Sequence, residues 1–171
     1  MAQGLSATVD TKLATFNTLA LQTQDEAYTL AYYLLGDERH AERATQAAFD
    51  QLYRSARLQA DRFRFEVLRG VLDCCRRMIS IMPSRAGQQA YLRLKANRDA
   101  TFEKLLSLND NERSVVVLVD VLGLDYEAAA EVLGSSKKQV SSLLAQARLN
   151  LSRRKIRQGL PEEETAPLSL R

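Results

Sequence analysis

The stretch YEAAAEVLGSSKKQVSSLLA, Tyr126 to Ala145, admits few folds. Counting Tyr126 as first, small Ala130 falls fifth, Gly134 ninth, Val140 fifteenth and Leu143 eighteenth. A small fifth residue lets two helices cross closely, a ninth glycine can take the left-handed conformation of a tight turn, and Val140 with Leu143 or Leu144 packs the second helix on the first. This is helix-turn-helix spacing, and it predicts a second helix from Ser136 to about Arg157. Lys137, Lys138 and Gln139, then Ser141 and Ser142, occupy the positions that reach base edges and phosphates when such a helix enters a major groove. Arg148, Arg153, Arg154, Lys155 and Arg157 carry positive charge toward the C-terminal end. A solvated hairpin whose basic end only complements the helix dipole would explain the charge alone. The agreement of turn glycine, small crossing residue, apolar positions and charge favours a nucleic-acid-binding helix.

The rest of the chain reads as helical too. Its 171 residues allow one ordinary domain or two small ones. With 46% hydrophobic and 26% charged residues it can bury a core, while seven Gly and three Pro offer little turn chemistry for a sandwich or barrel. From Leu13 apolar residues recur at helical spacing, with Ala27, Leu30, Ala31 and Leu34 on one face. Gly36 and Asp37 break the pattern. Asp37 can cap a second helix with Ala41, Ala44, Thr45, Ala48 and Leu52 inward. A third helix is predicted from about Asp61 to Ile79, with Val67, Leu68, Val71, Leu72, Cys75 and Met78 inward and Arg62, Arg64, Arg69, Arg76 and Arg77 on its other face. Asn109 or Asp110 can cap a helix carrying Val115, Val116, Leu118, Val119 and Leu122 that ends at Gly123. The predicted fold is all-α, two small helical domains joined by a linker. The first spans 10–80, the linker 81–100, the helix-turn-helix domain 101–158 and an acidic, disordered tail 159–171.

Charge separates along the chain. Residues 1–49 hold 3 basic and 6 acidic residues, 50–98 hold 11 and 4, 99–134 hold 2 and 8, and 135–158 hold 7 and none. Two basic blocks, each after an acidic one, predict two modules that each present a positive surface to a polyanion. Cys74 and Cys75 are adjacent within a helical pattern, where a bridge would be strained, so free thiols are expected. With His40 the only histidine, no zinc set can be assembled nearby, and no metal or cofactor is expected. No Gly-rich phosphate loop or nucleophile signature appears, so an enzyme is not expected. No apolar run approaches the roughly 18 residues of a membrane span and the N-terminus lacks a signal-peptide layout, which predicts a cytoplasmic protein.

Two longer segments narrow the reading. LSLNDNERSVVVLVDVLGLDYEAAAEVLGSSKKQVSSLLAQARLNL places Leu108 before a cap, Arg113 early in a helix, Gly123 and Leu124 before Tyr126, and Ala147 with Arg148 near its end. It resembles region 4 of the small, two-domain sigma factors of the extracytoplasmic-function class within the sigma-70 family. EAYTLAYYLLGDERHAERATQAAFDQLYR is similar to region 2 of that class, with Tyr28, Ala31, Leu35, Gly36, Asp37, Ala41, Glu42, Gln46 and Phe49 in place. The resemblance spans about residues 12 to 157.

The resemblance implies a sigma factor that binds core RNA polymerase and promoter DNA, with an anti-sigma factor among the partners the class admits. Asp37, Glu42, Gln46 and Phe49 would face polymerase. Arg62, Phe63, Arg64, Phe65, Arg69, Arg76 and Arg77 would hold the opened minus-10 strand, by basic contacts and stacking, although the two Phe suit a core equally well. Lys137, Lys138, Gln139, Ser141, Ser142 and Arg148 would read the minus-35 duplex. The chain departs from the class at Arg43, where an acidic residue is usual, at the start of the third helix, where a tryptophan is usual, and at Ser141, Leu143 and Gln146, where Lys or Arg is usual. Fewer cations mean fewer phosphate contacts and weak binding to DNA in isolation. A stand-alone helix-turn-helix regulator and a degenerate sigma-like adaptor that binds polymerase without reading promoters remain alternatives.

Overall fold

A computed structural model describes residues 3–55, 59–81 and 100–158, with side chains described over 11–55, 59–81 and 102–153. The expected linker and acidic tail lie almost wholly outside the described residues. Among those described, every regular element is helical.

Helix α1 runs Gln3–Leu35, starting well before the periodicity that begins at Leu13. Ala27, Leu30, Ala31, Leu34 and Leu35 are buried, and the helix stops where Gly36 turns left-handed at φ 69° and its N–H reaches Tyr32 O at 2.8 Å. Helix α2, Glu38–Arg54, begins at Asp37, whose carboxylate accepts from His40 N–H at 3.0 Å and satisfies a donor that the helix itself cannot. Its Ala41, Ala44 and Ala48 are buried. Helix α3, Phe63–Ile81, buries Val67, Leu68, Val71, Leu72, Cys74 and Cys75, while Met78 is half-buried. A methyl on Gly70 would meet Ala48 Cβ at 3.4 Å, so small residues set the α2–α3 approach.

The C-terminal part opens with α4, Ala100–Leu106, and α5, Asp110–Val116. Asn109, rather than Asp110, is the cap of α5: its side chain accepts from Glu112 N–H at 2.9 Å, and Glu112 accepts from Asn109 N–H at 3.3 Å. A π-helical turn, Val117–Val121, continues α5, and Gly123 is left-handed at φ 70°. Helix α6, Tyr126–Leu133, is capped by Asp125, which accepts from Glu127 N–H at 2.9 Å and Ala128 N–H at 2.8 Å. It ends at Gly134 (φ 63°), and Ser135 N–H reaches back to Ala130 O at 2.9 Å. Helix α7 runs Lys137–Gln158.

The buried residues of the two halves form one apolar cluster, in which Leu34, Leu68 and Val71 join Val117, Val132 and Leu144. Beside it, Phe102 and Leu106 of α4 pack on Tyr32 and Tyr33 of α1, with ring centroids 5.3 Å apart in both Phe102 pairs. The helix-turn-helix therefore sits directly on the first three helices.

Candidate nucleic-acid interface

The helix-turn-helix is built as its spacing predicts. Ala130 is buried where α6 approaches α7, Gly134 supplies the left-handed turn, and Val140 is fully buried. Of the two leucines offered for the last packing position, Leu144 takes it at 1% exposure. Leu143 is half-buried and lines a cleft of about 370 Å³ with Arg76, Asn111, Gln139 and Ser142.

Lys137, Lys138, Gln139, Ser141 and Ser142 are all exposed. Lys137 Nζ lies 3.7 Å from Glu127 Oε2, a pair in open solvent that a phosphate could replace. Arg148 is exposed but paired with Asp120 of the π-helical turn, and these hydrogen bonds push its pKa further up. Asp120 had no sequence signal as a partner, because nothing local relates two residues 28 positions apart.

The seven residues expected along the minus-10 strand divide. Phe63 is corrected to a core residue: at 1% exposure its ring sits 5.5 Å from Phe16 and 6.5 Å from Phe49, which removes its face from base stacking. Phe65 is half-buried against the core. Arg64 forms a two-pronged bond to Glu26 of α1, at 2.7 and 3.1 Å. Arg62 pairs with Glu131 of α6, and Arg69 reaches the turn, where a Cβ on Gly134 would lie 3.2 Å from Arg69 Nη2. Arg76 lines the cleft with Gln139 and Ser142, and Arg77 donates to Cys74 Sγ at 3.0 Å. Several minus-10 candidates are thus brought alongside the helix-turn-helix.

On the polymerase side, Glu42 and Gln46 stand exposed on α2. Asp37 and Phe49 are less exposed. Asp37 is 4% exposed and commits its carboxylate to the α2 cap and to His40 Nδ1 at 2.8 Å. Phe49 is half-buried, edge-on to Phe16 at 6.4 Å. Arg43, the charge reversal, is exposed beside Glu42.

Cys74 and Cys75 are free and buried, and burial pushes the Cys75 thiol up to about 12. A thiol held that far from ionisation is a poor nucleophile. Among the described residues no cluster of His, Cys, Asp and Glu could hold a metal, and no helix is long and apolar enough to cross a membrane.

Arg113, which sequence analysis placed early in its helix without assigning it a partner, is 4% exposed. Its guanidinium donates to Leu105 O, Leu106 O and Leu108 O at 3.0 to 3.2 Å, and across the interface to Leu34 O at 2.7 Å. Burial pulls its pKa down, opposed in part by Asp110 nearby.

Comparison with known proteins agrees with this geometry. Residues 99–151 match the family described as "Sigma-70, region 4". The RNA polymerase sigma factor YlaC of Bacillus subtilis (strain 168) is 35% identical over 65 residues, a match that spans 38% of this chain and 38% of that relative's length. CnrH, solved in complex with the cytosolic domain of CnrY, superposes with a TM-score of 0.68 at 26% identity, covering 84% of this chain and 89% of that one. The helix-turn-helix thus falls inside a sigma-70 region 4 match, on a fold shared with CnrH over most of both chains.

Proposed function

We propose that this chain is an alternative sigma factor that binds core RNA polymerase and directs promoter-specific initiation. One observation carries the reading: α6 and α7 cross over Ala130, Gly134, Val140 and Leu144 inside the region 4 match, leaving Lys137, Lys138, Ser141 and Ser142 on an open face. In this reading α7 enters the major groove of the minus-35 duplex, as the second helix of such a motif does. The first three helices act as a region 2 module. Glu42 and Gln46 of α2 face polymerase, and Arg62, Arg64, Arg69, Arg76 and Arg77 supply cations to the opened minus-10 strand. The protein works in the cytoplasm, by binding rather than catalysis. Because CnrH was solved with the cytosolic domain of CnrY, a protein partner of the anti-sigma kind belongs to the same proposal.

Run-off transcription on fragmented genomic DNA, with cognate core polymerase and with or without the chain, tests it. Discrete new transcripts are the expected result. Polymerase binding without new transcripts would favour the adaptor reading, for which Arg43, Ser141 and Gln146 on exposed faces and Leu143 in the cleft are the motivating observations. Absence of polymerase binding would overturn the sigma reading and leave a stand-alone duplex-binding regulator.

A further inference from the structure

The side-chain amide of Gln139 is committed before DNA arrives. Its Oε1 accepts from Ser135 Oγ at 2.9 Å, from Ser136 N–H at 3.1 Å and from Ser136 Oγ at 3.1 Å. In return Ser136 Oγ accepts the N–H of Gln139 at 3.3 Å. This is a reciprocal capping box at the start of α7, in which Gln139 occupies the position where Glu or Gln closes the box. A backbone N–H can only donate, so the amide atom facing Ser136 is the oxygen. The orientation of the amide follows from that, and Nε2 is left for solvent or a ligand.

Glutamine reads adenine with both amide atoms: the oxygen accepts from N6 and the nitrogen donates to N7. Here the oxygen is already shared among three donors. We propose that Gln139 meets DNA as a donor only, through Nε2, and that the base it selects is guanine rather than adenine. Guanine presents two acceptors, N7 and O6, and no donor in the major groove. Its neighbours on the first turn are donors as well, since Lys137 and Lys138 carry ammonium groups with no acceptor. The opening turn of α7 is therefore a donor surface, with acceptor capacity returning only at Ser141 and Ser142. This rests on the reading that α7 enters a major groove, and deepens it by assigning the base chemistry under one turn.

The distinction turns on one atom. Gln139→Glu keeps the capping oxygen and exchanges the NH₂ for a second oxygen. Gln139→Ala removes both. The test selects duplexes from a randomised pool with the full chain, alone and with core polymerase, for wild type and both variants, alongside thermal unfolding of each. Wild type should enrich sites with guanine favoured by roughly tenfold or more at one position. In both variants that preference should collapse to within about twofold while other positions keep theirs, and only Gln139→Ala should unfold at lower temperature. Adenine at the affected position, or a Gln139→Glu pool identical to wild type, would overturn the donor-only assignment while leaving the promoter reading intact. An unchanged unfolding temperature in Gln139→Ala would overturn the cap that the assignment needs. Enrichment of no duplex by wild type, with or without polymerase, would sink the promoter reading itself and this inference with it.

Discussion

Arg113 Nη1 donates to the carbonyl oxygen of Leu34 at 2.7 Å, joining residues 79 positions apart. Leu34 lies in the last turn of α1, where carbonyls have no partner within the helix. The guanidinium thus caps α1 from the other half of the chain while holding the chain turn of its own half through Leu105, Leu106 and Leu108. A planar fork of donors suits four carbonyls arranged around it, and a lysine ammonium does not.

Arg113→Ala should therefore destabilise the fold strongly, by about 3 kcal/mol, because four buried carbonyls lose a charged donor at once. Arg113→Lys should recover less than half of that loss. Urea unfolding of the three proteins checks both statements, and a lysine variant as stable as wild type would contradict the geometric account.

A second polar contact between the two halves, Arg62 with Glu131, behaves differently because its side chains are 53% and 37% exposed. A double-mutant cycle with Arg62→Ala and Glu131→Ala should give a coupling of about 1 kcal/mol or less at low salt, falling further as salt is added. Glu131→Gln frees Arg62 without truncating anything. Under the proposed minus-10 role it should tighten binding of a single-stranded oligonucleotide, measured by fluorescence anisotropy, with Arg62→Ala cancelling the gain.

Gly134 sits at φ 63°, and a methyl there would lie 3.2 Å from Arg69 Nη2. Gly134→Ala should cost about 1 kcal/mol or slightly more from the left-handed backbone alone, with Arg69 also forced aside. Asn tolerates that conformation better than Ala, so Gly134→Asn should unfold at the higher temperature of the two if backbone strain dominates. The reverse order in thermal melts would assign the cost to the Arg69 contact instead.

Cys75 gives the fold a pH dependence on the alkaline side. Burial raises its pKa from the ordinary thiol value of 9.0 to about 12, so between those values the folded state binds more protons than the unfolded chain. Its contribution is fully present below about pH 9 and is lost as pH rises toward about 12. The urea midpoint should fall across that window, and Cys75→Ala, although less stable at neutral pH, should show a flatter alkaline slope. Both thiols should also react slowly with iodoacetamide at pH 8 until the chain is unfolded.

The sequence by itself determined what depends on residues within a turn or two of one another. Helical periodicity marked the inward faces of α2 and α3, Asp37 announced a cap, the pair Asn109 and Asp110 announced another, and the spacing of Ala130, Gly134 and Val140 defined the helix-turn-helix. These signals are legible because capping and the 3.6-residue period act over three or four residues. Tertiary structure alone decided that Leu144 rather than Leu143 packs inward, that Phe63 is core while Phe65 is only half-buried, and that Arg62, Arg69 and Arg113 turn toward the opposite half of the chain. Leu143 and Leu144 are adjacent and equally apolar, and an arginine's partner depends on which carboxylate or carbonyl packing brings within reach. Such choices follow from how the helices meet, which local spacing does not encode.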